Sequence, residues 1–212
     1  MHTKWFKEDN LEIQTATMEE AVTYQDVLLV PQYSDIISRS EVDIGSSLSK
    51  DLRLDLPVIS SPMDTVSEDE MASAMSQNGG MSVVHRYNSI EEQASLIRKA
   101  IDSGATVVGG AVGVTGNFEE RANAIVGAGA KVICIDVAHG HHILVKKALE
   151  TLRNEYDNHI YIIAGNVCTL EGINDVADWG ADAVRCNIGG GSICSTRIVT
   201  GHGLPGLQTI FD

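Results

Sequence analysis

Eleven residues of the 212-residue chain, Asn187-Ile188-Gly189-Gly190-Gly191-Ser192-Ile193-Cys194-Ser195-Thr196-Arg197, bring together groups able to hold an anion and to attack an electrophile. Three successive glycines let backbone atoms approach a ligand closely, so the loop can take a phosphate through its amides or a cation through its carbonyls. Ser192 adds a hydroxyl donor. Cys194 stands three residues past the last glycine and three before Arg197, near dipoles and charge that favour the nucleophilic thiolate. The same spacing suits a tight turn after a strand, with Cys194 an ordinary small residue. Composition does not choose between the two.

Two other groups have chemistry-bearing residue types. His139, His141 and His142 are close in sequence but lack a local carboxylate ligand pattern, so they read as a turn and helix start, with no metal assigned. The four cysteines, Cys134, Cys168, Cys186 and Cys194, have none of the paired spacings of zinc sites; a reducing compartment would leave them free, three of them as small core residues.

The loop has to be positioned by what precedes it. From about Leu56 onward, apolar β-branched runs alternate with helical stretches. The runs predict strands at Pro57–Ser60, Met81–His85, Thr106–Val112, Val132–Val137, Ile160–Ala164 and Ala183–Ile188, near-continuously apolar as strands buried on both faces of a parallel sheet are. Helices are predicted at Glu68–Gln77, Ile90–Ser103, Phe118–Gly127, His142–Tyr156 and Leu170–Trp179, with Ser67, Ser89 and Asn117 as N-caps. Gly104-Ala105, Gly129-Ala130 and Gly180-Ala181 repeat where a helix should end and a strand begin, which suits a left-handed glycine just past the helix.

Repeated βα units leave two closures of the sheet, a doubly wound open sheet and a (β/α)8 TIM-type barrel. No GxGxxG follows the first strand, which favours the barrel. Only about six of eight βα units are visible, so the barrel is expected to be incomplete, with residues 1–55 leading in and 56–212 forming the partial barrel.

Composition limits the partners. With 43% hydrophobic residues the chain can bury one sizeable core. A formal net charge of −14, from 15 Lys and Arg against 29 Asp and Glu, repels a nucleic-acid backbone or an anionic lipid surface while leaving a single bound nucleotide possible. The charged start, Met1 to Asn10, has no apolar signal region and no run of about 18 apolar residues follows, so the chain reads as cytoplasmic, without membrane or nucleic-acid partners.

The segment Gly-Gly-Gly-Ser-Ile-Cys-Ser-Thr-Arg-Ile-Val-Thr-Gly resembles the catalytic-cysteine loop of the inosine monophosphate dehydrogenase and guanosine monophosphate reductase family. Further resemblances follow in order: Thr23 to Pro31, Ser60 to Val66, Gly79-Gly80 to His85-Arg86, Asp136 to Gly140, and Gly165-Asn166-Val167. The resemblance implies that Cys194 attacks purine C2 to give a covalent thioimidate and that Thr196 assists proton transfer beside it. It places Ser61 and Ser192 near the nucleotide phosphate, and Met63, Asn166 and Arg185 along the nucleotide site. It gives the nicotinamide cofactor, NADPH or NAD, to Ser38, Arg39, Arg86, Asp136, Val137, Ala138, Ile188 and Gly189. A monovalent cation, K+, would lie among the carbonyls of Gly189, Gly191 and Cys194 with Arg197 close by.

Within that family, reduction of GMP to IMP is favoured over oxidation of IMP to XMP. Only Tyr87 to Thr106 lies where dehydrogenases usually insert a regulatory domain. Ser38-Arg39-Ser40-Glu41-Val42-Asp43 resembles a reductase segment that reaches a neighbouring subunit's cofactor, and Asp136-Val137-Ala138 also resembles reductases. Against this, Ser60-Ser61-Pro62-Met63 and Leu28-Leu29-Val30-Pro31 are more similar to dehydrogenases. Asn187 stands where the family usually has glycine, and Gly190 replaces a commoner proline or serine. The family's remaining phosphate loop and last two strands are not in these residues. The expectation is therefore an N-terminal portion of a split enzyme completed by a C-terminal chain, or a truncated gene product; a homotetramer is the assembly the family implies. A non-catalytic nucleotide-binding or assembly module is the alternative of another class.

Overall fold

The structure, a computed structural model, describes residues 2–5, 14–17, 20–191 and 193–211. An antiparallel pair opens the chain, β1 (His2–Trp5) and β2 (Gln14–Thr17), and a second short pair follows, β3 (Ser46–Ser47) and β4 (Arg53–Leu54). Then come β5 (Ile59–Ser60), α1 (Asp69–Gln77), β6 (Met81–Val84), α2 (Ile90–Asp102), β7 (Val108–Val112), α3 (Phe118–Gly127), β8 (Val132–Asp136), α4 (Ile143–Tyr156), β9 (Tyr161–Val167), α5 (Leu170–Asp178) and β10 (Ala183–Cys186). Two short helices close the described chain, α6 (Thr196–Thr200) and α7 (Gln208–Phe211).

Strands β5 to β10 form one parallel sheet in the order β10-β9-β8-β7-β6-β5. A doubly wound sheet reverses its strand order at a switch point; this one never reverses. The two apolar clusters give the same answer. One joins Val84, Val108, Val112, Ile133, Ile135, Ile162 and Ala164 of the strands to Leu96 and Ile97 of α2, Ile125 of α3, Leu149 of α4 and Val176 of α5. The other contains no helical residue: Met81, Val83, Ala111, Val132, Cys134 and Ile163 of the strands meet Leu52 and Leu54 at β4. Helices thus cover one face and inward side chains fill the other, as in a (β/α)8 barrel, here six consecutive βα units of it.

The expected strands and helices are present, with β9 running three residues further than expected and β5 reduced to two. Among the described residues only β6 pairs with β5, and Pro57 has no N–H to give. One helix, α2, fills the interval between β6 and β7.

The glycine-alanine repeat closes helices by one geometry. In α2 the N–H of Gly104 bonds Ile101 O and that of Ala105 bonds Ala100 O; Gly129 and Ala130 do the same to Val126 and Ile125, and Gly180 and Ala181 to Ala177 and Val176. This is the Schellman closure, and φ of +95°, +105° and +110° at the three glycines is what it requires.

The N-caps divide. Ser89 caps α2, its hydroxyl accepting from Glu92 N at 3.1 Å. Asn117 occupies the cap position of α3, but its side chain bonds Glu120 instead of a backbone N–H. Ser67 does not cap α1, where Glu68 holds the position; Ser67 is fully buried and its hydroxyl donates to Ser61 O at 2.5 Å. Among the described residues no helix is long and apolar enough to cross a membrane.

Candidate active site

Strand parity builds the site. Cys134 of β8 faces the barrel interior, so Asp136 two residues on faces it too, at the C-terminal end of the strands where barrel enzymes carry their chemistry. Arg185 repeats this two residues after Ala183 on β10. Asp136 and Arg185 both pair in register with Gly165 of the intervening strand β9. With no side chain at Gly165, the guanidinium of Arg185 crosses the gap and forms an ion pair with Asp136. A Cβ at Gly165 would lie 2.6 Å from Arg185 O and 2.7 Å from Arg185 Cβ.

Cys194 sits half-buried just before α6. Hydrogen bonding from the Thr196 hydroxyl, then from the Thr196 backbone N–H, holds its thiol below the ordinary range; the Gly189 N–H and the Arg197 charge add to this, against a small opposing effect of burial. The other cysteines go the opposite way. Burial raises Cys168 and Cys186, and it pushes fully buried Cys134 up to about 11.

Two clefts meet at Cys194 and Thr196. The larger, about 700 Å³, is walled by Ser61, Met63, Asn166, Arg185, Asp136 and Gly189–Gly191. The second, about 400 Å³, is walled by Arg86, Tyr87, Asp136, Val137, Ala138, Asn166, Ile188 and Gly189. The structure therefore brings Ser61, Met63, Asn166 and Arg185, expected at the nucleotide, and most of the residues expected at the cofactor to one thiol. Arg197 lines a third cleft, about 440 Å³, behind the glycine loop. Ser38 and Arg39 border neither cleft at Cys194 and lie exposed. Ser192 lies outside the described residues.

Buried hydroxyls support the Ser61 side. Ser60 Oγ contacts Ser67 Oγ at 2.7 Å and Ser82 Oγ at 2.6 Å, and Ser67 in turn holds Ser61 O. Next to them His85, 3% exposed, bonds Glu68 through Nε2 at 3.1 Å and accepts the Tyr87 N–H on Nδ1 at 3.1 Å. On the other side Arg86 donates to Asp136 O at 3.1 Å. Sequence reasoning missed the Ser60, Ser67 and Ser82 network, whose members read as cap or strand residues, and it missed Tyr87, which carries no motif.

The three histidines have separate tasks. His141 bonds Asp175 at 2.8 Å, and His142 is the N-cap of α4, accepting from Leu144 N at 3.2 Å. His139 stacks edge-on against His142.

The model of the "IMP dehydrogenase / GMP reductase domain" family matches residues 21–212. The chain belongs to the IMP dehydrogenase / GMP reductase family. An inosine-5'-monophosphate dehydrogenase of Cryptosporidium parvum is 34% identical over 238 residues, covering 92% of this chain and 58% of the relative. One of Nitrosopumilus maritimus is 27% identical over 319 residues, covering 92% and 66%. A GMP reductase of Leishmania major is 27% identical over 329 residues, covering 92% and 67%. The chain thus spans about three fifths to two thirds of the length of these relatives.

Proposed function

We propose that this chain carries the nucleophile of a purine-nucleotide oxidoreductase acting at C2, and that the reaction is the NADPH-dependent reductive deamination of GMP to IMP. The observation that carries the proposal is the Cys194 thiol, lowered by Thr196 and placed where the two clefts meet. The thiolate adds to C2, forming a C–S bond; ammonia leaves with a proton taken up near the Thr196 hydroxyl, giving the thioimidate. Hydride then arrives at C2 and the thiolate is expelled, so one two-electron donor is consumed per ammonia released.

The residues present fit a nicotinamide cofactor, which when bound supplies or accepts the hydride. The second cleft reaches Cys194, Asp136 stands at its wall, and Arg86 Nε is buried there without a partner among the described residues. Asp136, held by Arg185, offers a fixed carboxylate for a ribose hydroxyl. Ser38 and Arg39, exposed on the surface, are assigned to the cofactor of a neighbouring subunit. K+ is assigned to the carbonyls of Gly189, Gly191 and Cys194, beside Arg197. Gly191 O already accepts the Cys194 N–H, and its second lone pair remains available.

Three features favour the reductase: Asp136-Val137-Ala138, the Ser38-Arg39 segment, and the single helix between β6 and β7. NAD-dependent oxidation of IMP to XMP is the second reading, favoured by Ser60-Ser61-Pro62-Met63 and by the 34% identity with the Cryptosporidium parvum dehydrogenase. A purine nucleotide with chloride at C2, offered without NADPH and quenched rapidly in acid, tests the shared step, because thiolate attack expels chloride and gives the same thioimidate, which the quench traps for mapping. The label is expected on Cys194 and absent from Cys194→Ser; equal labelling of Cys168 and Cys186 would sink the reading. Cofactor absorbance with GMP and NADPH, against IMP and NAD, separates the two reactions.

A further inference from the structure

Between β10 and the glycine loop stands Asn187, at φ +90°. That conformation costs a non-glycine residue about 1–3 kcal/mol, whereas glycine adopts it freely. An asparagine there calls for a physical reason.

Its backbone is anchored on the strand side. Asn187 N–H donates to Val167 O at 2.7 Å, and its carbonyl accepts from Asn166 Nδ2 at 3.0 Å. The side chain runs the other way, into the loop. A Cβ at Gly190 would overlap Asn187 Nδ2 outright, and a Cβ at Gly206 would lie 2.8 Å from the same atom. The carboxamide is therefore wedged between the glycine loop and the segment that returns past it. That segment is close everywhere: Leu204 N–H donates to Ile188 O at 3.3 Å, and a Cβ at Gly203 would lie 2.9 Å from that oxygen.

Among the described residues no hydrogen bond to Oδ1 of the carboxamide accounts for the wedge. Asn187 Oδ1 is buried without a hydrogen-bond partner among the described residues, which costs about 1–3 kcal/mol. What the side chain does provide is volume, and it stands in the space that a side chain at Gly190 would fill.

We propose that Asn187 is a positioning residue for Cys194: its carboxamide is a spacer that sets the separation between the glycine loop and the returning Gly203–Gly206 segment, and position 190 is glycine because the spacer occupies its side-chain volume. The proposal rests on Cys194 being the reactive thiol. Asn187 and Gly190 then act as one unit, and their substitutions must be non-additive.

The test is site-resolved alkylation of the 212-residue chain by iodoacetamide at one pH, with Cys168 and Cys186 as internal references and Tm as the measure of folding. Asn187→Gly suits the backbone and removes the spacer. It is expected to preserve Tm and to slow Cys194 about fivefold, the scale of a contact coupling. Gly190→Ala is expected to slow Cys194 further, and the double variant Asn187→Gly/Gly190→Ala to recover much of that loss, since the methyl takes over the vacated space. A wild-type Cys194 rate in Asn187→Gly overturns the spacer, even if Gly190→Ala fails to fold. A double variant slower than either single overturns the coupling. If Cys194 of the unaltered chain reacts no faster than Cys168 and Cys186, the proposed function itself fails and takes the positioning role with it.

Discussion

The Cys194 thiol differs from the other three cysteines in the direction of its acidity, and that difference is measurable. Hydrogen bonding from Thr196 lowers its pKa, whereas burial raises those of Cys168 and Cys186. The midpoint of Cys194 alkylation against pH should therefore fall below the midpoints of Cys168 and Cys186. Thr196→Val removes the hydroxyl that contributes most and should move the midpoint up; an unmoved midpoint would show that the hydroxyl is not the cause. Cys134, pushed up to about 11 by burial, should stay unmodified until the chain unfolds. Gly165 is the other residue-scale test. Gly165→Ala drives a methyl against Arg185 O and Cβ, an overpacking worth about 1–3 kcal/mol, and separates Arg185 from Asp136. Lower Tm together with weaker GMP or IMP binding is expected, and no change in either would contradict the arrangement.

At the scale of elements, each βα unit depends on the turn that ends its helix. Gly104 and Gly129 share the left-handed closure but not the surroundings: a Cβ at Gly104 meets nothing within 4 Å, while one at Gly129 lies 2.7 Å from Ile101 Cδ1. Gly104→Ala should cost about 1 kcal/mol, the backbone penalty alone. Gly129→Ala should cost more, and the two urea midpoints measure the difference; equal midpoints would mean that Ile101 yields freely. The β6–α2 connection is tied by Gln93, which is fully buried. Its Nε2 donates to Val84 O at 3.1 Å and Ala111 O at 2.9 Å, and its Oε1 accepts from Arg121 at 2.7 Å. This one side chain links β6, β7 and α3 on the way to Arg86.

Over the whole molecule, β5 and β10 are the outer strands of the six-stranded sheet among the described residues, and parallel edges of this kind invite pairing with another chain. An extended apolar stretch accompanies them, with Leu28, Leu29, Tyr33 and Ile37 each more than nine-tenths exposed. The purified 212-residue chain is therefore expected to self-associate. Leu29→Asp with Ile37→Asp should reduce light scattering without altering circular dichroism, and unchanged scattering would place the contact elsewhere.

The order of βα units, the positions of their helices and the cysteine loop were legible in the sequence, because strand and helix periods and glycine closures are local properties of a few neighbouring residues. The sequence favours the barrel over a doubly wound sheet only through a missing glycine motif, since the choice lies in which strands become neighbours. The unreversed order β10-β9-β8-β7-β6-β5, with helices on one face only, decided it. The short β3 and β4 were invisible, two residues each being too few for any period. Asp136 and Arg185 were legible as separate candidates, but their ion pair across Gly165 was not. Asn187 was legible only as an unusual residue in a glycine loop. Its role depends on volume shared with Gly190 and Gly206, and volume is shared only once the chain has folded back on itself.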